Sequence, residues 1–334
     1  IRLLEDHQYC ECMKIVCKKT TELIAEEKKQ ICDCYHAVFE GDTRSLSDFD
    51  NVYSNTCLGY SFITMLKSGE DEVVGLYAVI PFDYIYKGEK QLFAIGVDFM
   101  LRKDFRNDFK NVMGICGESM KFSKANGVSC IFAFPNDLSH QLNTRILRMK
   151  DIGKLYTYIL PYKVGDAKPK LKALNFGSML FSWLMLGVSA LDFRKKTYST
   201  MFERDRSTFD STRYKWFNPS DYRFYKDGDM SCSWKVADFE GVKAAFLMDF
   251  YPVSSANFNK AVRAMFNAEN ANVGIFLYVG NLPFAASSMV KIPLKYAPKN
   301  FNFVAQVLDR NLVNIEDVLN MNNWDVNLSS YDLL

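Results

Sequence analysis

The order in which apolar patterns succeed one another is what most narrows the folds open to this chain. Residues 60–66 and 72–80 are β-rich runs joined by Lys67-Ser-Gly-Glu-Asp71, and 91–100 continues the meander after a turn at Lys87-Gly88-Glu89. The period then lengthens: Val112, Ile115, Met120 and Phe122 make the apolar side of a helix that stops at Asn126-Gly127. Residues 128–134 (VSCIFAF) form a near-continuous apolar run, as in a strand covered on both faces, and Pro135 ends it because proline has no N–H for a sheet ladder. Helical spacing resumes over 138–149, and 155–162 reads as one more strand. The second half repeats the order, with strands at 222–225, 230–236 and 242–251, a helix over 257–266 capped by Ser254-Ser255, and an apolar strand at 273–279. Strand, strand, strand, helix, strand thus occurs twice, with slight identity between the copies. This predicts an α/β (α+β) fold of two tandem domains, each a mixed, mostly antiparallel twisted sheet flanked by helices.

Length fits that division, since 334 residues hold two domains of roughly 100–200 residues each. The expected boundaries are an N-terminal domain over 1–165, whose first forty residues read as helix up to Gly41-Asp42, a linker with an apolar inter-domain helix over 166–198, and a second domain over 199–334. Apolar residues at 49% and aromatics at 15% are ample for two cores. Forty-one basic and 39 acidic side chains leave a net charge of +2, so no whole-chain field recruits nucleic acid, and no nucleic-acid partner is expected. The nine cysteines are odd in number and too sparse for a disulfide scaffold, and the first residues lack the pattern of a secretory leader; a cytoplasmic location is expected. Residues 176–191 (FGSMLFSWLMLGVSAL) carry no charge, yet as a helix they reach only about 24 Å against a hydrocarbon core of ~30 Å. A helix buried between the domains is expected there, with peripheral membrane contact as the alternative.

Residues 97–112 join a strand through a turn to a helix start, a generic receiver of anions because unpaired N–H groups and the helix dipole favour phosphate. Arg102, Lys103, Arg106 and Lys110 add cations at that start. In the second half Tyr214, Trp216, Phe217, Tyr222 and Phe224 form a dense aromatic cluster able to stack a sugar or base, with Arg213 and Arg223 suited to a diphosphate; substrate binding is expected at Arg213, Trp216, Tyr222 and Arg223. Core packing is the alternative for these aromatics. Of Cys32, Cys34 and His36, only Cys32 and His36 share a helix face, so no metal site is expected. Nucleotide-binding loops and nucleophile elbows are absent from the sequence.

The segment Asp98-Phe-Met-Leu-Arg-Lys-Asp-Phe-Arg106 resembles the strand-to-loop segment of the GNAT superfamily of acyl-CoA N-acyltransferases. Gly127-Val-Ser-Cys-Ile-Phe-Ala-Phe-Pro-Asn136 and Gly153-Lys-Leu-Tyr-Thr-Tyr-Ile-Leu-Pro161 are similar to a subgroup from bacterial surface-polysaccharide loci, and Val74-Gly75 matches its second strand. The resemblance covers about residues 30–165, with a weaker echo in 199–334. It implies two tandem GNAT-like domains, the second degenerate, and acetyl-CoA or another acyl-CoA as co-substrate. It also implies direct attack of an amine on the thioester, with Asp98 and His140 handling protons. Backbone groups of Phe99, Met100 and Leu101 would hold the thioester end, Asn136 and Ser139 the pantetheine arm, and Arg106, Asn107, Asp108, Phe109 and Lys110 the diphosphate. The chain departs from the family there: its pyrophosphate loop has two glycines, and Arg106-Asn-Asp-Phe-Lys-Asn111 has none. Either Arg106 and Lys110 compensate through side-chain charge or the coenzyme does not bind in the usual way. The implied acceptor is an amino sugar carried on a nucleotide or lipid. A catalytically inactive interaction module, and an aminoacyl transferase of the peptidoglycan-bridging type that takes charged tRNA, are the alternatives.

Overall fold

A computed structural model describes residues 13–39, 41–167, 172–192, 194, 196–208 and 221–330. The first half runs β1 (Lys14–Lys19), α1 (Ala25–Val38), α2 (Leu46–Phe49), β2 (Phe62–Lys67), β3 (Val73–Tyr86), β4 (Glu89–Leu101), α3 (Phe109–Ala125), β5 (Cys130–Ala133), α4 (Asp137–Gln141), β6 (Lys150–Lys154) and β7 (Tyr156–Pro161). Next come α5 (Leu174–Ala190), β8 (Phe202–Arg204), β9 (Tyr222–Asp227), β10 (Met230–Phe239), β11 (Val242–Tyr251) and α6 (Ser255–Glu269). Strands β12 (Ile275–Gly280), β13 (Val290–Lys291) and β14 (Asn302–Val307) and helix α7 (Ile315–Leu319) complete the order. The expected meanders and apolar strands are present, with two differences. Residues 14–19, expected as helix, form β1, because their hydrogen-bonding partner is the edge of β2 (Lys14 opposite Lys67) rather than their own chain. Strands β6, β8, β13 and β14 were not foreseen.

Two sheets result. The first has the order β1-β2-β3-β4-β5-β14-β6 with β8 against β3, and the second β13-β7-β12-β11-β10-β9. The halves expected from sequence exchange strands: β7 of the first pairs antiparallel with β12 (Tyr158 opposite Tyr278), and β14 of the second pairs with β5 (Ala305 opposite Phe132).

The sheets stack face to face. Phe82, Phe93 and Phe132 of one meet Phe246, Leu277 and Val279 of the other, around Trp324, which is 1% exposed. Helix α3 covers the outer face of the first sheet, where Ile115 meets Val74, Val79 and Ile131. Helix α1 lies at the inner face's end, Ile31 and Cys34 packing near Met65 and Leu76. Helix α6 covers the outer face of the second sheet through Phe258, Val262 and Met265. Apolar residues at spacings of three and four suit that duty, and the Ser254 hydroxyl caps the helix by accepting from the Asn257 N–H at 3.1 Å. Helix α5 lies beside α6 on the surface, not buried between the halves: Phe176, Leu180 and Leu184 are all exposed. Serines on its inward face hydrogen-bond sheet carbonyls, so the apolar stripe is the one left outside.

Candidate active site

Strands β4 and β5 run parallel but pair only from Phe93–Ile95 to Cys130–Phe132; past that point they separate. At the separation β4 carries a bulge. Leu76 faces Met100 and Ala78 faces Val97, so Tyr77 alone opposes Asp98 and Phe99. Asp98 takes φ +44°, the left-handed region that aspartate tolerates better than most residues. The extra residue reverses the alternation: Leu92 and Ala94 face α3 before the bulge, while Phe99 and Leu101 do after it. Gly96 sits at the fork because a Cβ there would lie 2.2 Å from the Tyr77 hydroxyl.

The Asp98 carboxylate is engaged. It accepts from Arg44 Nη1 at 2.8 Å and from the Tyr53 hydroxyl, and Arg44 Nη1 also donates to the Tyr53 oxygen at 2.5 Å. Burial works against the Arg44 charge, but Tyr53 and Asp98 outweigh it and raise its pKa, and burial pushes the Tyr53 hydroxyl well above its ordinary value. Arg44 also lies over the Tyr35 ring, 4.0 Å from its centroid. An aspartate held by a guanidinium and a phenol hydroxyl in this way fixes the bulge.

Beyond the bulge, Met100 and Leu101 are buried and the chain turns outward. Arg106 Nε donates to the Leu101 carbonyl at 2.6 Å, tying the loop to the strand end, and Asn111 Nδ2 donates to the Phe105 carbonyl at 3.2 Å. Asp108 caps α3, its Oδ1 accepting from the Lys110 N–H at 2.8 Å. Arg106, Asn107, Asp108, Phe109 and Lys110 are all exposed, so Phe109 stands in solvent rather than packed against the core. The missing glycines are thereby explained in part: the loop reaches the helix through the turn of Lys103–Phe105 and a side-chain cap, without a left-handed residue between Arg102 and Asn111.

On the other side of the fork, Asn136 caps α4, its Oδ1 accepting from the Ser139 N–H at 2.8 Å and from the Ser139 hydroxyl at 2.9 Å. The two residues expected to hold a pantetheine arm therefore hold each other. His140 follows on α4. Its Nε2 lies 3.3 Å from Asp151 Oδ2 on β6, within ion-pair reach but not aligned as a hydrogen bond. The parallel strands β4 and β5 place the bulge, the α3 start and α4 at the same edge of the first sheet.

The second half has the same fork, filled. Ser233 faces Asp249 and Trp234 faces Leu247, so Met248 is the extra residue, and β11 pairs with β12 only as far as Leu247 and Tyr278. Asp249 is again bound by arginines: Arg206 Nη1 at 2.5 Å and Arg204 Nη2 at 3.2 Å. Burial opposes ionisation of Asp249, yet Arg206 and Arg204 hold its carboxyl well below the usual range. Here the chain's own later residues occupy the gap: Asn327 bridges to Gly280 of β12 and its Nδ2 donates to Asp249 Oδ1 at 3.0 Å. The start of α6 is occupied as well. Asp192 Oδ2 accepts from the Ser255 hydroxyl at 2.5 Å, from Asn259 Nδ2 at 3.1 Å and from Arg194 Nη2 at 2.7 Å.

Of the residues expected to bind the acceptor, Arg213 and Trp216 lie outside the described residues. Tyr222 is 6% exposed in the core between the sheets, and Arg223 is bonded to Glu269, which also accepts from Trp234 Nε1 at 3.0 Å. Both belong to β9, the outermost strand of the second sheet, so the structure does not bring them to the fork of β4 and β5. An open depression of about 500 Å³ is lined by Lys87 after the end of β3, Ser199 to Met201, Glu203 and Asn322. A smaller one of about 50 Å³ is lined by Arg206, Tyr251, Tyr278 and Asn281.

Arg44 and Tyr53 escaped the sequence reading. The signal was there in duplicate: Arg44-Ser45 and Asp98-Phe99 in the first half answer to Arg206-Ser207 and Asp249-Phe250 in the second.

No family model matches the chain, and no curated protein does. Solved structures do. A conserved Enterococcus faecalis protein of unknown function, called a probable N-acyltransferase, superposes with a TM-score of 0.55 at 11% identity, covering 89% of this chain and 73% of that one. A GCN5-related N-acetyltransferase from Anabaena variabilis gives 0.55 at 10% identity, over 88% and 73%. Eis1 from Mycobacterium abscessus gives 0.52 at 9% identity, over 88% and 74%. At such identities the likeness is one of fold, and it extends across both sheets: the chain has the fold of two GNAT-like domains in tandem.

Proposed function

We propose that the protein is an acyl-CoA-dependent N-acyltransferase whose first half holds the coenzyme and whose second half is structural. The contrast between the two forks carries this reading. Both have the bulge and an arginine–aspartate pair, half-buried in the first and buried in the second, but only in the second do Asn327 and Asp192 occupy the positions a coenzyme would need. The first opens onto exposed Arg106 and Lys110. In the reaction, the acceptor nitrogen would attack the thioester carbonyl carbon, the C–S bond would break, and the thiolate would leave with a proton while the nitrogen loses one. In this reading His140, beside Asp151, would take the amine's proton, and Asp98 would position the strand, supported by the Asp151 and Arg44 contacts. Atoms of the β4 bulge released from the ladder would hold the carbonyl. The acceptor proposed is the amine of a nucleotide- or lipid-linked amino sugar, a reading supported by the resemblance of 127–136 and 153–161 to the polysaccharide-locus subgroup.

Calorimetric titration of the folded chain with acetyl-CoA, free CoA and a panel of nucleotide-linked amino sugars tests this. Micromolar acetyl-CoA affinity, falling about tenfold or more in Arg106→Glu, is expected, since reversing one charge at a diphosphate removes a contact of a few kcal/mol. One observation favours a second reading, an inactive interaction module: the Asp108 carboxylate already caps the helix end that should meet the diphosphate. That reading predicts no coenzyme binding by the native chain and its appearance in Phe109→Gly.

A further inference from the structure

Helix α5 is apolar on both faces. Its inward face sets Met179, Met185 and Leu186 against the core of the second sheet, with serines between them. The Ser178 hydroxyl donates to the Tyr162 carbonyl at 2.8 Å, the Ser182 hydroxyl to the Pro161 carbonyl at 2.9 Å, and Ser189 is buried beside Leu186. Its outward face is apolar. Phe176, Leu180, Leu184, Val188 and Leu191 recur at steps of four, four, four and three, so they form one stripe, and they are 79%, 62%, 64%, 53% and 73% exposed. Trp183 stands alongside, half exposed, its ring edge against Phe266. The serine bonds fix the rotation: turning the stripe inward would carry these hydroxyls away from the carbonyls that accept from them. A contiguous apolar stripe of this length normally marks a binding surface.

The charge around the helix says which surface. Lys163, Lys168, Lys170 and Lys172 precede it and Arg194, Lys195 and Lys196 follow, against only Asp166 and Asp192. Residues 163–196 thus carry net +5 in a chain of net +2, leaving the remainder at net −3. A second copy docked on the same stripe would set two such segments against each other, like charge to like. An apolar protein groove would match the stripe but not the cations at both its ends. Anionic headgroups match both. No helix among the described residues is long and apolar enough to cross a membrane, and α5, at 17 residues, spans about 26 Å.

We propose that α5 lies flat in the headgroup region of an anionic bilayer, its stripe among the upper acyl chains and the net positive charge of residues 163–196 drawn to the lipid phosphates. The energetics are those of an interfacial helix, apolar burial plus attraction to anionic lipid. This surface is independent of acyl transfer.

The test is co-sedimentation of the full chain with vesicles of phosphatidylcholine alone or with about one-third phosphatidylglycerol. Binding at least about tenfold stronger to the anionic vesicles is expected, weakened by about 0.5 M salt. The double variant Leu180→Ser, Leu184→Ser should lose binding about tenfold or more while keeping its circular dichroism and melting temperature, because both positions are exposed. Lipids brominated on the acyl chains should quench tryptophan emission in the native chain and not in Trp183→Phe. Failure of the folded chain to sediment with anionic vesicles overturns the proposal. So does a micromolar dimer, seen by light scattering, that the double variant abolishes, since the stripe would then belong to a second copy.

Discussion

Asp98 shows how one residue at the point where two strands part can act through others. Its left-handed backbone creates the bulge, and its carboxylate binds Arg44, whose side chain is 11% exposed. Asp98→Asn keeps the shape but leaves that guanidinium without its counter-charge, so a loss of about 3–5 kcal/mol in unfolding free energy is expected by denaturant titration. Turnover should fall too, through the misplaced strand. His140→Ala should lower turnover by about 10² or more. A loss under about threefold in His140→Ala would remove the histidine from the chemistry. Asp249 stands next to the bulge of the filled fork with its own arginines, so an aspartate–arginine pair recurs at both forks.

At the scale of elements, α3 and α6 begin alike and end up with opposite openness. The start of α6 already has its anion: Arg194 first, with Ser255, holds the Asp192 carboxyl well below the usual carboxylate range. A depressed folded pKa means that this contribution is fully present above the unfolded aspartate value of about 3.9 and is lost as pH falls below it. Asp192→Asn should therefore lower stability by about 1–3 kcal/mol at neutral pH, and the gap between variant and native melting temperatures should close toward pH 3 and below. The elements themselves were largely legible, because the periods of β3, β4, α3 and α6 are strong and local. The start of α3 and the strand feeding it stood out as a candidate site for the same reason. What lay beyond reach was pairing across distance. Arg44 and Tyr53 meet Asp98 from 54 and 45 residues away, and only the recurrence of the Arg-Ser and Asp-Phe pairs in the second half points to that meeting, for Arg44 alone. Likewise the spacing of Ser178, Ser182 and Leu180 defined two faces of α5 without saying which would be turned inward.

The whole molecule is less divisible than its repeated pattern suggests. Each sheet is completed by a strand from the other half, and Trp324 packs against Phe93 and Phe132 of the first sheet although it lies near the end of the second half. A chain cut after residue 198 leaves β5 without β14 and β12 without β7. The fragment 1–198 should then be unfolded or aggregated by circular dichroism when made alone, and should recover a cooperative melt when made together with 199–334. The intact chain should unfold in one transition. Two separate transitions in calorimetry would show that the exchange does not couple the halves.

The exchanged strands also set a timetable for the ribosome. Strand β5 is complete at Ala133, but the partner for its edge, β14, begins only at Asn302. At roughly 5–20 residues per second, synthesis leaves that apolar edge without its native neighbour for about 10–30 s. Through that interval the nascent first half offers an open strand of Cys130–Ala133, apolar throughout, to any other strand it meets. Chaperone demand during translation, rather than stability once made, is where the architecture is most exposed.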